Sequence, residues 1–406
     1  MAGIPGEAIR LRARCALMLG IWAAALSAGT PGAARIGIYH WGGRYPHSVA
    51  DGVDAIAGLG GHVARVALSP NYYRDYNIAP DCRPDFSLTA AAQDPDMRRA
   101  FGNPAIDVLI LTTYDGTTWG DCEGLNFLDP AFFTPAHMAA VAQEYSDFTL
   151  YLYRTYRDTH KRFVVSNWES DNSVYCGDAY RFAREAAFRA ACRSQYPASL
   201  GIASPEDGLR GLKLWFQARA QGIVEGRNRA QSENIGGMRV YIAPEFSIVR
   251  ALRDRGFQSV LYDVLPSVMF DYVSYSAWES INTPDPANTL RADLETIQNV
   301  TGSSAIIVGE SGSRRDRNGR EVDLTSKILS AALEWGVAYF IQWQLYDQDP
   351  ANTYGLYDLE GRATPLAEWF RIRFQQDAPA FSASQNHPET GAWRRPPSRD
   401  PGSYSH

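Results

Sequence analysis

In the stretch Ala305-Ile306-Ile307-Val308-Gly309-Glu310-Ser311-Gly312, four apolar residues run directly into a glycine and a carboxylate. A short, β-branched apolar run bounded by turn residues reads as a strand buried on both faces, which is the signature of a parallel sheet covered by helices. Such a strand has no local reason to end in a charge. Glu310 is therefore read as placed there for chemistry, at the C-terminal end of strand residues 305–308.

The same pattern recurs on both sides of this stretch. Short β-like runs fall at 36–39, 62–68, 106–111, 162–166, 239–243 and 272–276, and a last one at 338–343. Helical stretches separate many of them: 48–59, 135–159, 178–195, 205–231 and 248–265, with a final helix at 365–374. The 135–159 segment carries an apolar stripe through Met138, Val141, Tyr145, Phe148 and Leu152. Strands alternating with helices imply a parallel sheet, because each return to the same edge needs a crossover helix. Eight such units favour closure. The expected fold is of the α/β class, a single (β/α)8 TIM barrel over 35–376 with long loops after several strands. An open doubly wound sheet is the competing reading. It would want a glycine-rich phosphate turn after the first strand, where this chain has His40-Trp41-Gly42-Gly43 and no GxGxxG.

The 406 residues are 45% hydrophobic and 21% charged, ample for one large core. The net charge of -6 is mild and argues against nucleic acid or an anionic membrane as partner. Arg10, Arg12 and Arg14 precede an apolar run from Cys15 to Leu26, and small residues follow. Residues 1–34 thus read as an export signal, too short in its apolar part for a comfortable span. The chain is expected to be secreted or periplasmic, to act as a monomer, and to keep no stable membrane association once the signal is cleaved. Residues 377–406, rich in Pro, Ser and Arg, read as a disordered tail. Beyond the signal lie Cys82, Cys122, Cys176 and Cys192, an even number suited to two disulfides in an exported protein. Three pairings are possible, and Cys82–Cys122 with Cys176–Cys192 is favoured because each pair falls in neighbouring or shared loops. A metal site is not expected, since no spacing is CxxC and no histidines cluster nearby.

Reactive groups of such barrels lie just past the C-terminal ends of strands. Those positions hold His40 and Trp41 after the first strand, and Asn167, Trp168, Glu169 and Asn172 after the fourth. Glu245 follows the fifth, Tyr275, Trp278 and Glu279 the sixth, Glu310 the seventh, and Trp343 and Gln344 the eighth. Two carboxyls facing one another across the mouth can cleave a glycosidic bond, one protonating the leaving oxygen and the other attacking the anomeric carbon or activating water. Glu169 and Glu310 form the best pair, because strands four and seven lie across the mouth from each other. Glu279 is the best spare carboxylate. Aromatic residues make up 12% of the chain, and pyranose faces pack well on such rings.

This layout resembles the clan A glycoside hydrolases, the (β/α)8-barrel superfamily of β-glucanases, β-mannanases and β-xylosidases. The resemblance spans about residues 36–376 and identifies the clan rather than a family. It implies that Glu169, ending strand four, is the acid/base and Glu310, ending strand seven, the nucleophile. It also implies that Trp343 is a sugar platform and that Tyr275 touches the nucleophile. The stretch 354–365 is similar to the loop leading into the last helix of these enzymes. One position departs: the clan usually has Asn directly before the acid/base, whereas here Trp168 holds that place and Asn167 precedes it. In an extended segment Asn167 and Glu169 share a face, so Asn167 reaches a sugar hydroxyl only if the strand end bulges. Otherwise Trp168 replaces it.

The resulting expectation is a retaining glycoside hydrolase acting on a poly- or oligosaccharide, endo action slightly favoured, with no cofactor. His40, Trp41, Asn167, Trp168, Asn172, Glu245, Tyr275, Trp278, Glu279, Trp343 and Gln344 are its expected substrate contacts. A carbohydrate-binding barrel without turnover and a transglycosylase of cell-envelope polymers remain the alternatives.

Overall fold

The computed structural model describes residues 35–42, 48–76, 82–83, 85–119, 124–192, 196, 200–316 and 318–376. The expected export signal (1–34), the expected tail (377–406) and Cys122 lie outside them. The strands are β1 (Ile36–His40), β2 (Val63–Leu68), β3 (Val108–Thr113), β4 (Arg162–Ser166), β5 (Arg239–Ile242), β6 (Glu245–Phe246), β7 (Val273–Ser276), β8 (Ile306–Ser311) and β9 (Tyr339–Trp343). They form one sheet in the order β5-β4-β3-β2-β1-β9-β8-β7-β6, and every pairing is parallel.

The two ends of that order are consecutive in sequence. β5 and β6 are separated only by Ala243 and Pro244, and hydrogen bonds run from this segment to both neighbours. Ala243 N donates to Val165 O at 2.9 Å, while Tyr272 N donates to Ile242 O and Ser274 N to Pro244 O, each at 3.0 Å. β5 and β6 are thus the two halves of one fifth strand, and the sheet closes into an eight-stranded barrel. Pro244 has no N–H to give to a ladder, which is why the strand breaks there.

Strand periodicity sets what the barrel holds. Tyr39, Val63, Val108, Ile110, Val164, Ala243, Ile307, Tyr339 and Ile341 form the inner cluster. Stepping two residues up the same faces reaches Arg65, Thr112, Gly309 and Trp343. Apolar filling therefore gives way to polar groups toward the C-terminal mouth. Outside, helices such as Val49–Gly58, Pro135–Tyr156, Pro205–Ser232, Pro286–Thr301 and Arg320–Trp335 cover the opposite strand faces in a second, larger core.

Three expectations are corrected. The helix expected over 248–265 is replaced by short 3-10 and π turns, Arg253–Arg255, Val260–Val264 and Leu265–Ser267. Buried carboxylates take the backbone N–H groups there: Glu279 accepts from Val249, Arg250 and Ala251, and Asp171 from Ser247, Ile248 and Val260, the last an N–H that a continuous helix would have used itself. Gly256, at φ 76°, closes the first of these turns in the left-handed region. The connection carrying Cys82, read as a loop, holds helices at Tyr72–Asp75, Leu88–Gln93 and Pro95–Gly102. The seventh strand runs past Val308 to Ser311, so Glu310 lies within it rather than beyond it.

Cys176 and Cys192 are bridged, closing a loop with a sequence separation of 16. Cys82 is also disulfide-bonded. No described helix is long and apolar enough to cross a membrane.

Candidate active site

Glu310 reaches the mouth through a bulge. Alternation along β8 would put Ile307 and Gly309 inside and Glu310 outside. The pairing with β7 instead steps from Tyr275↔Val308 to Ser276↔Glu310, and that with β9 from Val308↔Phe340 to Ser311↔Gln342. One extra residue on β8 re-aims the side chains that follow. Glu310 is 2% exposed. Its Oε2 accepts a hydrogen bond from Trp278 Nε1 at 3.1 Å, and its Oε1 lies 3.7 Å from Arg65 Nη2.

Glu169 follows β4 and is 3% exposed. Asn172 Nδ2 donates to its Oε2, while Asn172 Oδ1 accepts from Ala179 N at 2.9 Å. Each of the two carboxyls thus has one oxygen held, and Oε1 of each makes no hydrogen bond among the described residues.

Beneath them lies a charged layer in which Glu245, expected as a substrate contact, is paired instead with Arg65. Arg65 is buried and donates to both oxygens of Glu245, at 2.7 and 2.9 Å. It also donates to Thr112 Oγ1, Gly309 O and Asn167 O, and its guanidinium lies 4.4 Å from the Tyr39 ring centre. Glu245 accepts further bonds from Ser274 Oγ at 2.6 Å, Ser276 Oγ at 3.1 Å and the Glu169 backbone N–H at 3.3 Å. A Cβ at position 309 would sit 2.1 Å from Glu245 Oε2, so this layer closes only over glycine.

Three carboxyls and one guanidinium in a dry space cannot all be charged without cost. Burial raises the pKa of Glu169 well above its ordinary value, and repulsion from Glu310 and then Glu245 adds to it. Burial pushes Glu310 up as well and Glu245 adds to it, while Arg65 and the Trp278 N–H offset part of this rise, leaving it at about 8. Glu169 is therefore the more strongly held in its protonated form, and Glu310 the more readily ionised of the two. Burial works against the Arg65 cation, yet Glu245, Tyr39 and Glu310 together hold it firmly protonated.

The other expected contacts divide. Trp41 and Trp343 stand together at the mouth, ring centres 6.4 Å apart, each against the edge of Tyr39. Trp278 packs against Tyr354 at 5.6 Å, and Trp168 is 36% exposed. Gln344 is buried, and its side-chain amide makes no hydrogen bond among the described residues. Five residues are turned elsewhere. His40 is a core histidine, its Nε2 3.0 Å from Ser48 O. Tyr275 points into the helical layer, bonding Ser280 and Asp293, and does not meet Glu310; Trp278 does instead. Glu279 caps the 249–251 backbone. Glu245 is locked to Arg65. Asn167 spends its whole amide internally: Nδ2 donates to Trp168 O, Ser170 Oγ and Glu245 O, and Oδ1 accepts from Glu245 N and Arg219 Nη1.

Arg65 and Arg219 were missed from sequence. Arg65 had a signal: it interrupts the apolar run Val63-Ala64-Arg65-Val66-Ala67-Leu68 in phase with the inward Val63. Arg219, within the long helix Pro205–Ser232, had none.

No protein-family model matches the sequence, and no curated protein matches it. Solved structures do match in fold. The chain is similar to β-glycosidase BGL167, at TM-score 0.53 and 15% identity over 84% of this chain and 88% of that one. It is similar to the AHE enzyme of Alicyclobacillus herbarius, at TM-score 0.57 and 10% identity over 87% and 98%. A GH5_18 protein of Streptomyces cattleya, solved in complex with Manb1-4GlcNAc, matches at TM-score 0.53 and 13% identity over 86% and 82%. At these identities the likeness is one of fold, and the chain has the (β/α)8-barrel fold of these proteins.

Proposed function

We propose that the chain is an exported glycoside hydrolase working with retention, Glu169 as acid/base and Glu310 as nucleophile. The observation that carries this is the division of labour between the two carboxyls. Each is buried at the C-terminal mouth with one oxygen fixed and the other unbonded among the described residues. Each accepts one N–H bond, from Asn172 for Glu169 and from Trp278 for Glu310, but it is Glu310 that also stands 3.7 Å from the Arg65 cation. The folds it resembles include a β-glycosidase and a GH5_18 protein holding a β-linked disaccharide, which makes β-linked sugars the first substrates to try.

In the first step Glu169 gives its proton to the glycosidic oxygen as the C–O bond breaks. Glu310 attacks the anomeric carbon, forming a glycosyl ester. In the second step Glu169, now ionised, takes a proton from water, whose oxygen displaces Glu310. Trp278 and Arg65 stabilise Glu310 while it is an anion. Trp41, Trp343 and Trp168 offer ring faces to the sugar, and the Gln344 amide can read a hydroxyl. No cofactor enters the scheme. Asn167 is assigned to the framework, not to the sugar.

The purified chain should hydrolyse at least one member of a panel of aryl β-glycosides and β-linked polysaccharides, with the initial product anomer matching the substrate by proton NMR. Glu310→Gln should abolish this. Glycan binding with no wild-type turnover would instead establish a carbohydrate-binding barrel, and an inverted product would end the retaining scheme.

A further inference from the structure

Below the catalytic pair lies a third carboxylate that takes no part in the scheme above, and the inference drawn from it rests on that reading of Glu169 and Glu310. We propose that Glu245 is a positioning residue that occupies both ends of the Arg65 fork and so sets how much of the Arg65 charge reaches the catalytic pair. The guanidinium is planar and presents its N–H groups in fixed directions. Both Nη atoms bond Glu245, at 2.7 and 2.9 Å, while Glu310 stands at 3.7 Å. Arg65 therefore steadies Glu310 from a distance and does not quench it.

Glu245 is itself held on every side. Ser274 and Ser276 on β7 donate to its side chain, the Glu169 N–H donates to Oε1, and the Asn167 amide fixes its backbone N–H and carbonyl. Its charged and titratable surroundings are Tyr39 on β1, Arg65 on β2, Tyr114 after β3, Glu169 after β4 and Glu310 on β8. β9 presents Trp343, which does not titrate. Arg219, from the helix Pro205–Ser232, bonds Asn167 Oδ1 and Ser166 O rather than Glu245. Arg65 and Glu245 cancel, so one further negative charge is tolerated. That charge is Glu310, and Glu169 stays protonated. The layer holds the pair in the single-proton state that the first step consumes.

The test uses the full chain with its glutamate side-chain carboxyls labelled with 13C, the signals being assigned through Glu169→Gln and Glu310→Gln. Removing the charge in Glu245→Gln should move the titrations of Glu169 and Glu310 down by about one to two pH units. The pH–rate bell on any glycoside that the wild type cleaves should move to acid with them. Should Glu245→Gln not fold, Gly309→Ala reaches the same end without removing a charge, because its Cβ must drive the carboxylate off Arg65. A smaller shift in the same direction is expected. Titrations unchanged in whichever folded variant is obtained overturn the proposal. A wild type without hydrolysis overturns the functional reading instead, and the titration still decides the role of Glu245.

Discussion

Trp278 Nε1 and Glu310 Oε2 lie 3.1 Å apart, and this is the one hydrogen bond that the Glu310 carboxyl receives among the described residues. A donor to a carboxylate stabilises its charged form, and in a dry site such bonds contribute about 1.5–3 kcal/mol. Trp278→Phe keeps a ring against Tyr354 and removes the donor. Without it Glu310 holds its proton to higher pH. The acid limb of the pH–rate profile should move upward, and kcat/KM below the optimum should fall by about tenfold or more. An unmoved acid limb would mean that the indole serves only to pack.

The same repulsion that readies the pair should weaken the fold at alkaline pH. Burial and like charge raise Glu169 and Glu310 above the values they have in the unfolded chain. Their contribution to stability is then fully present below the unfolded value and is lost as pH rises through the folded one. Glu169→Gln removes one ionisable member while keeping its shape. Urea unfolding should find this variant more stable than wild type at pH 9, by on the order of 1–3 kcal/mol, with the gap closing toward pH 5. Equal differences at both pH values would refute the assignment.

These two residues also mark what could be read from the chain alone. Strand positions and the barrel followed from apolar runs and alternation, because burial on both faces leaves a plain imprint on sequence. Glu310 stood out for the same reason. Its orientation was not legible, since the bulge that turns it inward is a matter of pairing register, which a single strand does not encode. Tyr275 failed for a related reason: its place at the end of strand six and the resemblance put it near the mouth, but strand alternation sends its side chain outward to Ser280 and Asp293. Asn167 shows the opposite limit. An amide beside a catalytic acid reads as a sugar contact, yet its atoms are consumed by Glu245, Arg219 and Ser170, which lie far off in sequence or on the next turn. The charged layer under the site arises from contacts between β2 and β6, 180 residues apart, and only the out-of-place Arg65 announced it.

The disulfide ties the β4 loop to the proposed acid/base, Glu169, through Asn172. Cys176 and Cys192 close the segment that contains Ala179, whose N–H is accepted by Asn172 Oδ1, and Asn172 in turn holds Glu169. A loop of this size is stabilised by up to about 3 kcal/mol. The double variant Cys176→Ser with Cys192→Ser should be cleaved first between 176 and 192 in limited proteolysis. Its kcat should drop more than its KM rises, because what is lost is the placing of the proposed acid/base. If kcat is retained while proteolysis quickens, Asn172 is held without the bridge.

Trp168 tests whether an exposed ring replaces the amide that Asn167 does not offer. Its backbone is fixed, the N–H donating to Tyr114 Oη at 3.2 Å, while the indole remains 36% exposed beside Glu169. A ring so exposed adds little to the fold, and Trp168→Ala should leave stability within about 1 kcal/mol of wild type. Stacking on a pyranose is of the order of an aromatic contact, about 0.5–1.5 kcal/mol beyond buried area. KM should therefore rise roughly three- to tenfold on substrates long enough to reach the ring, with kcat nearly unchanged. A fall in kcat on short and long substrates alike would instead place Trp168 at the reacting sugar, as part of the environment that keeps Glu169 protonated.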